Sequence, residues 1–558
     1  MTPRFHHIAA GAIMLALGAC ATADYAAFDA TIAAEAAETT AMDAAIDRVR
    51  ADVAWLSDDA RLGRETGTDA YRDAAEYVAA RMEAIGLKPG ANGEWFQETP
   101  YRAGAPVLDA AGVTITTPDG AAHKLTSLAD FRLFPSLMRE AFEIDDAPAV
   151  FVGYGVSAPA FGHDDYAGVD VKGKIVVYFN GAPDIFDSES RAHFNSTGLK
   201  AKEASDRGAI GMIGLYTSAV ETSQPWARFI ANPSYSSMTW VGPDGVADVS
   251  GPNIQGNATL NPAMSQLLFE GAEKSYAEVR AEADKEGGAP KGFDLAVKVS
   301  MSGAMTLKAL SSPNVAGIIP GADPAKKNEY VILSAHLDHI GVNEKKIEAG
   351  EDGINNGAMD NATGVATLLE AAKEMLAGPP PARTVMFLAV AGEEKGLLGA
   401  DYFAHFPTVG KKGKVVADVN LDMPVLLYSF TDVVAFGAER SSIGPILHAA
   451  LEKTGVALSP DPIPELGIFT RSDHYRFVEQ GVPSIFLWPG FANGGEEAFW
   501  DFYKNHYHRP SDDISQPIRY DDMLRFVEIN AIIARALADA PERPIWNEGD
   551  FFGDLFSK

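Results

Sequence analysis

From residue 301 onward, short apolar runs alternate with segments that have the periodicity of amphipathic helices. The runs at 331–333, 384–388, 415–417 and 484–487 contain no charged residue, as expected for parallel strands that are buried on both faces. Between the first two runs, apolar residues over 365–376 recur at helical spacing. The alternation therefore predicts an α/β fold for residues 301–558, with a mixed, mostly parallel sheet and helices on both of its faces.

The part of the chain before residue 301 has two segments with different sequence patterns. Residues 43–58 and 68–86 have helical spacing, so residues 21–129 are predicted to form an N-terminal helical part of the same lobe. From 130 to 300, short apolar runs are separated by turns rich in Gly and Pro. This segment is predicted to be an inserted β-rich domain that carries no metal or nucleophile constellation.

The N-terminus has the pattern of an export signal. The apolar run from Ile8 to Ala19 is twelve residues long, whereas a helix that spans a bilayer needs about 20. It ends in Leu17-Gly18-Ala19-Cys20, which resembles a bacterial lipobox, and Cys20 is the only cysteine. Residues 1–20 are therefore predicted to be a lipoprotein signal peptide with lipidation at Cys20. An ordinary signal peptide that is cleaved nearby is the alternative.

This reading predicts an exported bacterial envelope protein that is lipid-anchored in the outer membrane and faces the periplasm. Contact with the membrane is expected only through the lipid anchor.

The net charge of −30 excludes nucleic acid as a partner, because a phosphate backbone requires a basic surface. The sequence does not fix the oligomeric state.

Acidic and histidine motifs follow the predicted strands in the C-terminal half. They are His336-Leu337-Asp338, Met359-Asp360-Asn361, Gly392-Glu393-Glu394, Leu421-Asp422-Met423 and Tyr507-His508. The carboxyl ends of parallel strands meet at one edge of a sheet, where α/β folds place their sites. The motifs supply three carboxylates and two histidines for two metal ions, together with one further glutamate. This set predicts metal-assisted hydrolysis.

The carboxylates need different roles in such a site. Asp360 lies in a tight loop of glycines and asparagines, and we expect its two oxygens to bridge two cations that hold a water between them. Glu393 and Glu394 are adjacent on a turn, so one can bind metal while the other faces the water. A carboxylate beside that water can take its proton and pass it to the leaving amine.

The histidines and a further aspartate complete the predicted site. His508 is the expected ligand of the last motif. Asp338 is expected to accept the second ring N–H of His336, as carboxylates behind metal-binding histidines do. Imidazole together with hard oxygen ligands suits Zn²⁺, with Co²⁺ or Mn²⁺ as alternatives.

These motifs resemble those of peptidase family M28, which comprises dinuclear zinc aminopeptidases and glutamate carboxypeptidase relatives. The resemblance covers roughly residues 310–535. It implies a zinc exopeptidase fold with two Zn²⁺ ions and peptides as substrates. The implied roles are Asp360 as the bridge, Glu394 and His508 on one ion, His336 and Asp422 on the other, and Glu393 as general base and acid.

The resemblance to family M28 implies three further features. The Asp360–Asn361 peptide bond is expected to be cis. The segment Ser472-Asp473-His474 matches a region near the substrate pocket, so Asp473 and His474 are expected to bind substrate. Residues 130–300 are similar to a protease-associated (PA) domain.

The expected activity is removal of N-terminal residues by a metal-dependent aminopeptidase. A carboxypeptidase of the glutamate carboxypeptidase type would need cations for the substrate carboxylate, and Arg471, Arg476 and Arg509 lie near the motifs. A glutaminyl cyclase of the same fold uses one zinc, which the full ligand set disfavours. A non-catalytic binding protein of the same architecture would be expected to lack ligands.

Overall fold

The computed structural model describes residues 39–232, 236–452 and 454–557. Cys20 and the rest of the predicted signal peptide lie outside these residues. Across the described ranges, no helix is both long enough and apolar enough to cross a membrane.

The helices of the described ranges are mostly short. They are α1 (39–56), α2 (Asp69–Ile85), α3 (Ser188–Asn195), α4 (Thr197–Asp206), α5 (Ser218–Ser223), α6 (Trp226–Phe229), α7 (Tyr276–Ala283), α8 (Glu344–Glu348), α9 (Thr363–Ala377), α10 (Leu398–His405), α11 (Ile443–Leu451), α12 (His474–Val478), α13 (Gly495–Asn505), α14 (Tyr520–Asp539) and α15 (Phe551–Phe556). The predicted helices over 43–58 and 68–86 are confirmed as α1 and α2.

The strands form two large sheets that share one strand, and a separate two-stranded ribbon. They are β1 (Lys88–Pro89), β2 (Phe96–Pro106), β3 (Gly112–Thr116), β4 (Ala122–Lys124), β5 (Phe131–Pro135), β6 (Ala141–Phe151), β7 (Ser157–Ala158), β8 (His163–Asp164), β9 (Ile175–Phe179), β10 (Gly211–Leu215), β11 (Ser237–Trp240), β12 (Gly256–Leu260), β13 (Phe293–Ile319), β14 (Glu329–His336), β15 (Thr384–Val390), β16 (Lys414–Asn420), β17 (Asp432–Phe436), β18 (Ala457–Ser459) and β19 (Ser484–Pro489). The four predicted strands of the C-terminal half are confirmed as β14, β15, β16 and β19.

The first sheet is mixed, with a parallel centre. Its order is β11–β2–β13–β15–β14–β16–β19–β17–β18, and the pairs from β15 through β14 and β16 to β19 are parallel. Val331 and Leu333 of β14 join a core with α1, α2, α9, α11 and α14, whereas Ile332 joins a second core with α10 and α12. Helices thus cover both faces, and the predicted fold class of this lobe is confirmed.

The second sheet has the order β4–β3–β13–β6–β9–β10–β12–β5 and its own apolar cores. It forms a second, β-rich lobe, and β13 runs unbroken through both sheets. Strands β3 and β4 precede the predicted start of the inserted domain at residue 130, yet they pair in this sheet. The likeness of this lobe to a PA domain stays a prediction.

Helix α3 of the second lobe packs against the first lobe. Arg440 forms ion pairs with Glu189 of α3 and, at 2.9 Å, with Asp550. The ring Nδ1 of His193 lies 2.6 Å from the hydroxyl of Tyr475. These partly or fully buried polar contacts attach the second lobe to the first.

Candidate metal centre

Three strand ends bring the sequence motifs to one edge of the first sheet. His336 is the last residue of β14, and its register partner on β15 is Val390. Glu393 and Glu394 follow β15 in a single 3₁₀ turn, and Asp422 lies two residues beyond β16. The parallel register of these strands therefore places the side chains side by side, as the sequence predicts.

Asp360 enters the site from the loop before α9. The Asp360–Asn361 peptide bond is cis, which confirms the expectation. The carboxylate of Asp512 accepts hydrogen bonds from the main-chain N–H groups of Met359 and Asp360, at 2.8 and 3.0 Å. The side chain of Asn361 donates to Leu421 O at 2.9 Å. The loop is therefore fixed on both sides of Asp360.

The five predicted metal ligands form two groups that share Asp360. His336 Nε2 lies 3.1 Å from Asp360 Oδ1 and 3.0 Å from Asp422 Oδ1. His508 Nε2 lies 3.3 Å from Asp360 Oδ2 and 3.1 Å from Glu394 Oε2. In each group the ligand atoms lie within 4.8 Å of one another. Each oxygen of Asp360 therefore faces a different group of donors.

Sequence reasoning missed His339, which joins the second group. Its Nδ1 lies 2.7 Å from Glu394 Oε1, and its side chain is fully buried. Its Nε2 has no hydrogen-bond partner in the described part of the chain. His339 directly follows the His336-Leu337-Asp338 motif, and this position was the signal that could have identified it.

We expect His339→Phe, which keeps a ring and removes both nitrogens, to weaken zinc binding by about 10- to 100-fold, the usual effect of removing a group that orients a metal ligand. Competition with a chromophoric chelator measures this affinity. The exposed His448 provides the matched control, His448→Phe. Equal zinc affinity of the two variants would show that His339 does not contribute to zinc binding.

The neighbouring glutamates have opposite environments. Burial raises the pKa of Glu393 well above its usual value; His336 opposes this shift, and the Asp422 and Glu394 carboxylates add to it. Burial and the Asp360 carboxylate also favour a higher pKa for Glu394. Hydrogen bonds from His339 and His508 outweigh both and lower the pKa of Glu394 to about 2. Glu394 is held by histidines, whereas Glu393 lines the open pocket. Carboxylates whose environments separate their pKa values are suited to different roles.

The predicted contact between Asp338 and His336 needs correction. His336 Nδ1 lies 3.1 Å from the main-chain oxygen of Asp338, whereas the nearest carboxylate oxygen is 3.9 Å away. That carboxylate oxygen instead accepts the main-chain N–H of Glu393 at 3.2 Å. The turn after β14 presents the carbonyl to the ring and leaves the carboxylate to fix the turn after β15.

Asp473 and His474 do not line the pocket, contrary to the expectation that they bind substrate. Both are fully buried, and the ring of His474 packs between those of Phe469 and Phe486. Their neighbour Ser472 donates a hydrogen bond of 2.5 Å to Asp422 Oδ2. This segment therefore acts on the site through Ser472, by orienting Asp422.

A pocket opens beside the two donor groups. Asp360, Glu393 and Asp422 supply carboxylates to its lining, and Arg471 supplies a cation. The remaining lining is apolar or aromatic and consists of Met423, Leu466, Ile468, Phe486, Trp488, Phe499, Tyr503 and Tyr507. The arrangement suits a ligand with a polar end at the carboxylates and an apolar side chain.

The structure distinguishes the three arginines near the motifs. Arg476 is partly buried, forms a 2.7 Å ion pair with Glu479 and does not line the pocket, so it is not placed to bind a ligand there. Arg509 is exposed and does not line the pocket. Arg471 does line it, and no ion pair is found for Arg471 among the described residues.

The donors match a transition metal with mixed ligands. Each group combines imidazole nitrogen with carboxylate oxygen, which is the chemistry that zinc accepts. His336 and Asp422 are also oriented by hydrogen bonds with Asp338 O and Ser472 Oγ, as metal ligands normally are. The residues present therefore fit the metal that the motifs predict.

Sequence comparison with known proteins finds the same family that the motifs resemble. Residues 314–534 match the model of peptidase family M28. A probable leucine aminopeptidase from Arthroderma benhamiae is 31% identical over 210 residues, which are 37% of this chain and 52% of the relative. Aminopeptidase YwaD from Bacillus subtilis is 27% identical over 38% of this chain and 42% of its own length. The chain spans about half the length of the curated relatives it matches.

Among solved structures, the aminopeptidase from Aneurinibacillus sp. strain AM-1 aligns with a TM-score of 0.48 at 19% identity. The alignment covers 91% of this chain and 97% of that one. BSAP, a zinc aminopeptidase from Bacillus subtilis, aligns with a TM-score of 0.42 at 18% identity, over 92% of this chain and 98% of that one.

Proposed function

Residues 314–534 form a peptidase family M28 domain, and from this premise we propose that the chain is a zinc-dependent aminopeptidase. The observation that carries the proposal is the pair of donor groups that share Asp360, with Glu393 beside them in the pocket. Two groups with one common carboxylate support two ions, one held by His336 and Asp422 and one by Glu394 and His508. The relatives named as aminopeptidases support the same activity.

Zinc bound at these donors would activate a water and polarise the substrate carbonyl. The chain's own residues supply the proton transfer. The carboxylate of Glu393 has no hydrogen-bond partner among the described residues and faces the pocket, so it is placed to take a proton from the attacking water. The same group can then deliver that proton to the leaving amine.

The pocket defines the end of the peptide that it accepts. Its carboxylates favour a free ammonium group, and its aromatic walls favour an apolar side chain next to that ammonium. The ring of Trp488 contacts the rings of both Phe486 and Phe499, so the three form a continuous aromatic wall. We therefore propose peptides with a free, apolar N-terminal residue as substrates.

Arg471 supports a second candidate activity. An unpaired cation at the pocket is what a carboxypeptidase needs to bind a substrate carboxylate. One exposed arginine beside a largely apolar wall is weaker support than the carboxylate and aromatic lining, so the aminopeptidase is preferred.

We expect the protein to cleave amino-acid anilides with a free amine, and leucine or phenylalanine anilides faster than alanine anilide. Treatment with a chelator should abolish cleavage, and added zinc should restore it. N-blocked peptides with a C-terminal glutamate serve as the comparison. Cleavage of those peptides alone would show that the protein is a carboxypeptidase instead, and Arg471 would then be the next residue to substitute. Cleavage that survives metal removal would contradict the proposal.

A further inference from the structure

Residues 56–66, called here the clasp, lie outside the M28 segment but contact the loops that carry its ligands. At their centre is Arg64, a fully buried arginine. Its guanidinium donates only to main-chain carbonyls, which are Leu337 O at 3.0 Å, Leu56 O at 2.6 Å, Asn356 O at 2.6 Å and Gly357 O at 3.1 Å. One side chain thus connects three separate stretches of the chain.

Two of these stretches carry metal ligands. Leu337 lies between His336 and Asp338, and Gly357 lies three residues before Asp360. The guanidinium is planar and presents its donors in a fixed arrangement. Arg64 therefore sets the distance between the loop after β14 and the loop before α9.

The main chain of the clasp reinforces this connection. His339 N donates to Arg64 O at 3.3 Å, and Gly341 N donates to Gly63 O at 3.1 Å. Gly63 has φ +65°, and a Cβ at this position would lie 2.5 Å from the oxygen of Asn355, so a larger residue does not fit. Arg64 itself has φ +46°, a conformation that is uncommon for residues other than glycine. Such backbone persists where the surrounding contacts determine it.

The clasp also reaches the third ligand-bearing turn. Glu65 forms a 2.7 Å ion pair with Lys395, the residue after Glu394. Burial lowers the pKa of Arg64 to about 10, and the Asp360 carboxylate opposes this shift, so the guanidinium remains charged at neutral pH. A cation is thereby held behind a site that is rich in carboxylates.

We propose that Arg64 and the Glu65–Lys395 pair are positioning elements of the zinc site, which set the spacing of the loops that hold His336, Asp360 and Glu394. The proposal rests on the proposed function, because it concerns how zinc is held. It places a determinant of metal binding in the N-terminal segment, more than 240 residues before the M28 segment begins.

The test is the zinc affinity of Arg64→Lys, which keeps the charge but cannot form the four-carbonyl arrangement. We expect zinc to bind about 10- to 100-fold more weakly, as when other residues that orient metal ligands are removed. Affinity is measured by chelator competition on protein whose circular dichroism matches the parent. The absorption spectrum of the Co²⁺-substituted protein should also change, because the ligand geometry changes. Arg72→Lys is the matched control, since Arg72 pairs with Glu98 on the surface and contacts no ligand loop.

A second variant covers the case in which Arg64→Lys does not fold. Glu65→Gln removes the charge from one side of a partly buried ion pair, and it should weaken zinc binding by about two- to fivefold. Parent-like zinc affinity and Co²⁺ spectrum in folded Arg64→Lys would overturn the proposal; if that variant is unfolded, parent-like values in Glu65→Gln would do so. Failure of the parent itself to bind zinc would instead contradict the proposed function.

Discussion

Glu393→Gln is expected to lose about 10²- to 10⁴-fold of peptidase activity, the usual contribution of a general acid–base group. The amide has nearly the size of the carboxyl but cannot take a proton from water. Glu393 makes no side-chain hydrogen bond to another described residue, and it belongs to neither donor group. The zinc content and the melting temperature of the variant should therefore remain close to those of the parent.

The measurements are kcat with a leucine anilide, zinc per chain and thermal melting. Glu497→Gln is the matched control, because Glu497 is an exposed glutamate on α13. Turnover of Glu393→Gln at the parent rate would show that the base is another group. Loss of zinc together with activity would instead make Glu393 a ligand.

Asp360→Ala is expected to abolish activity and to weaken zinc binding in both donor groups. Asp360 contributes one oxygen towards His336 and the other towards His508. Its replacement therefore removes one ligand atom from each group at once. The loss of affinity should exceed the 10- to 100-fold change that residues behind the ligands produce.

Asp422→Ala provides the comparison, because Asp422 belongs to one group only. We expect this variant to retain about one zinc per chain, whereas Asp360→Ala should retain neither ion after dialysis. Zinc per chain is measured by elemental analysis, and Asp554→Ala, at an exposed aspartate, controls for loss of surface charge. Two tightly bound ions in Asp360→Ala would show that Asp360 is not shared.

The donor set could be predicted because each ligand follows a local pattern. His336 and Glu394 each follow an apolar run that becomes a parallel strand, and the strand ends meet at one edge of the sheet. The family resemblance then supplied the division of the ligands between two ions and the cis bond at Asp360. These features are encoded within a few residues of each ligand, so a single sequence shows them.

The supporting residues could not be predicted in this way. Asp512 holds the Asp360 loop by accepting two main-chain N–H groups, and Arg64 acts entirely on main-chain carbonyls. Such partners are backbone groups, which every residue has, so no motif marks them. Asp473 and His474 illustrate the opposite error, because a motif position suggested substrate contact and the packing buried both side chains.

The sequence by itself determined the α/β class of residues 301–558 and the residue types at each strand end, because apolar periodicity and ligand chemistry are local properties. Only the tertiary structure decided which side chains share Asp360, that His339 joins them, and that Arg471 rather than Arg476 reaches the pocket. These outcomes depend on distances between segments far apart in the chain. Those distances follow from how these segments pack against one another, and no single segment encodes them.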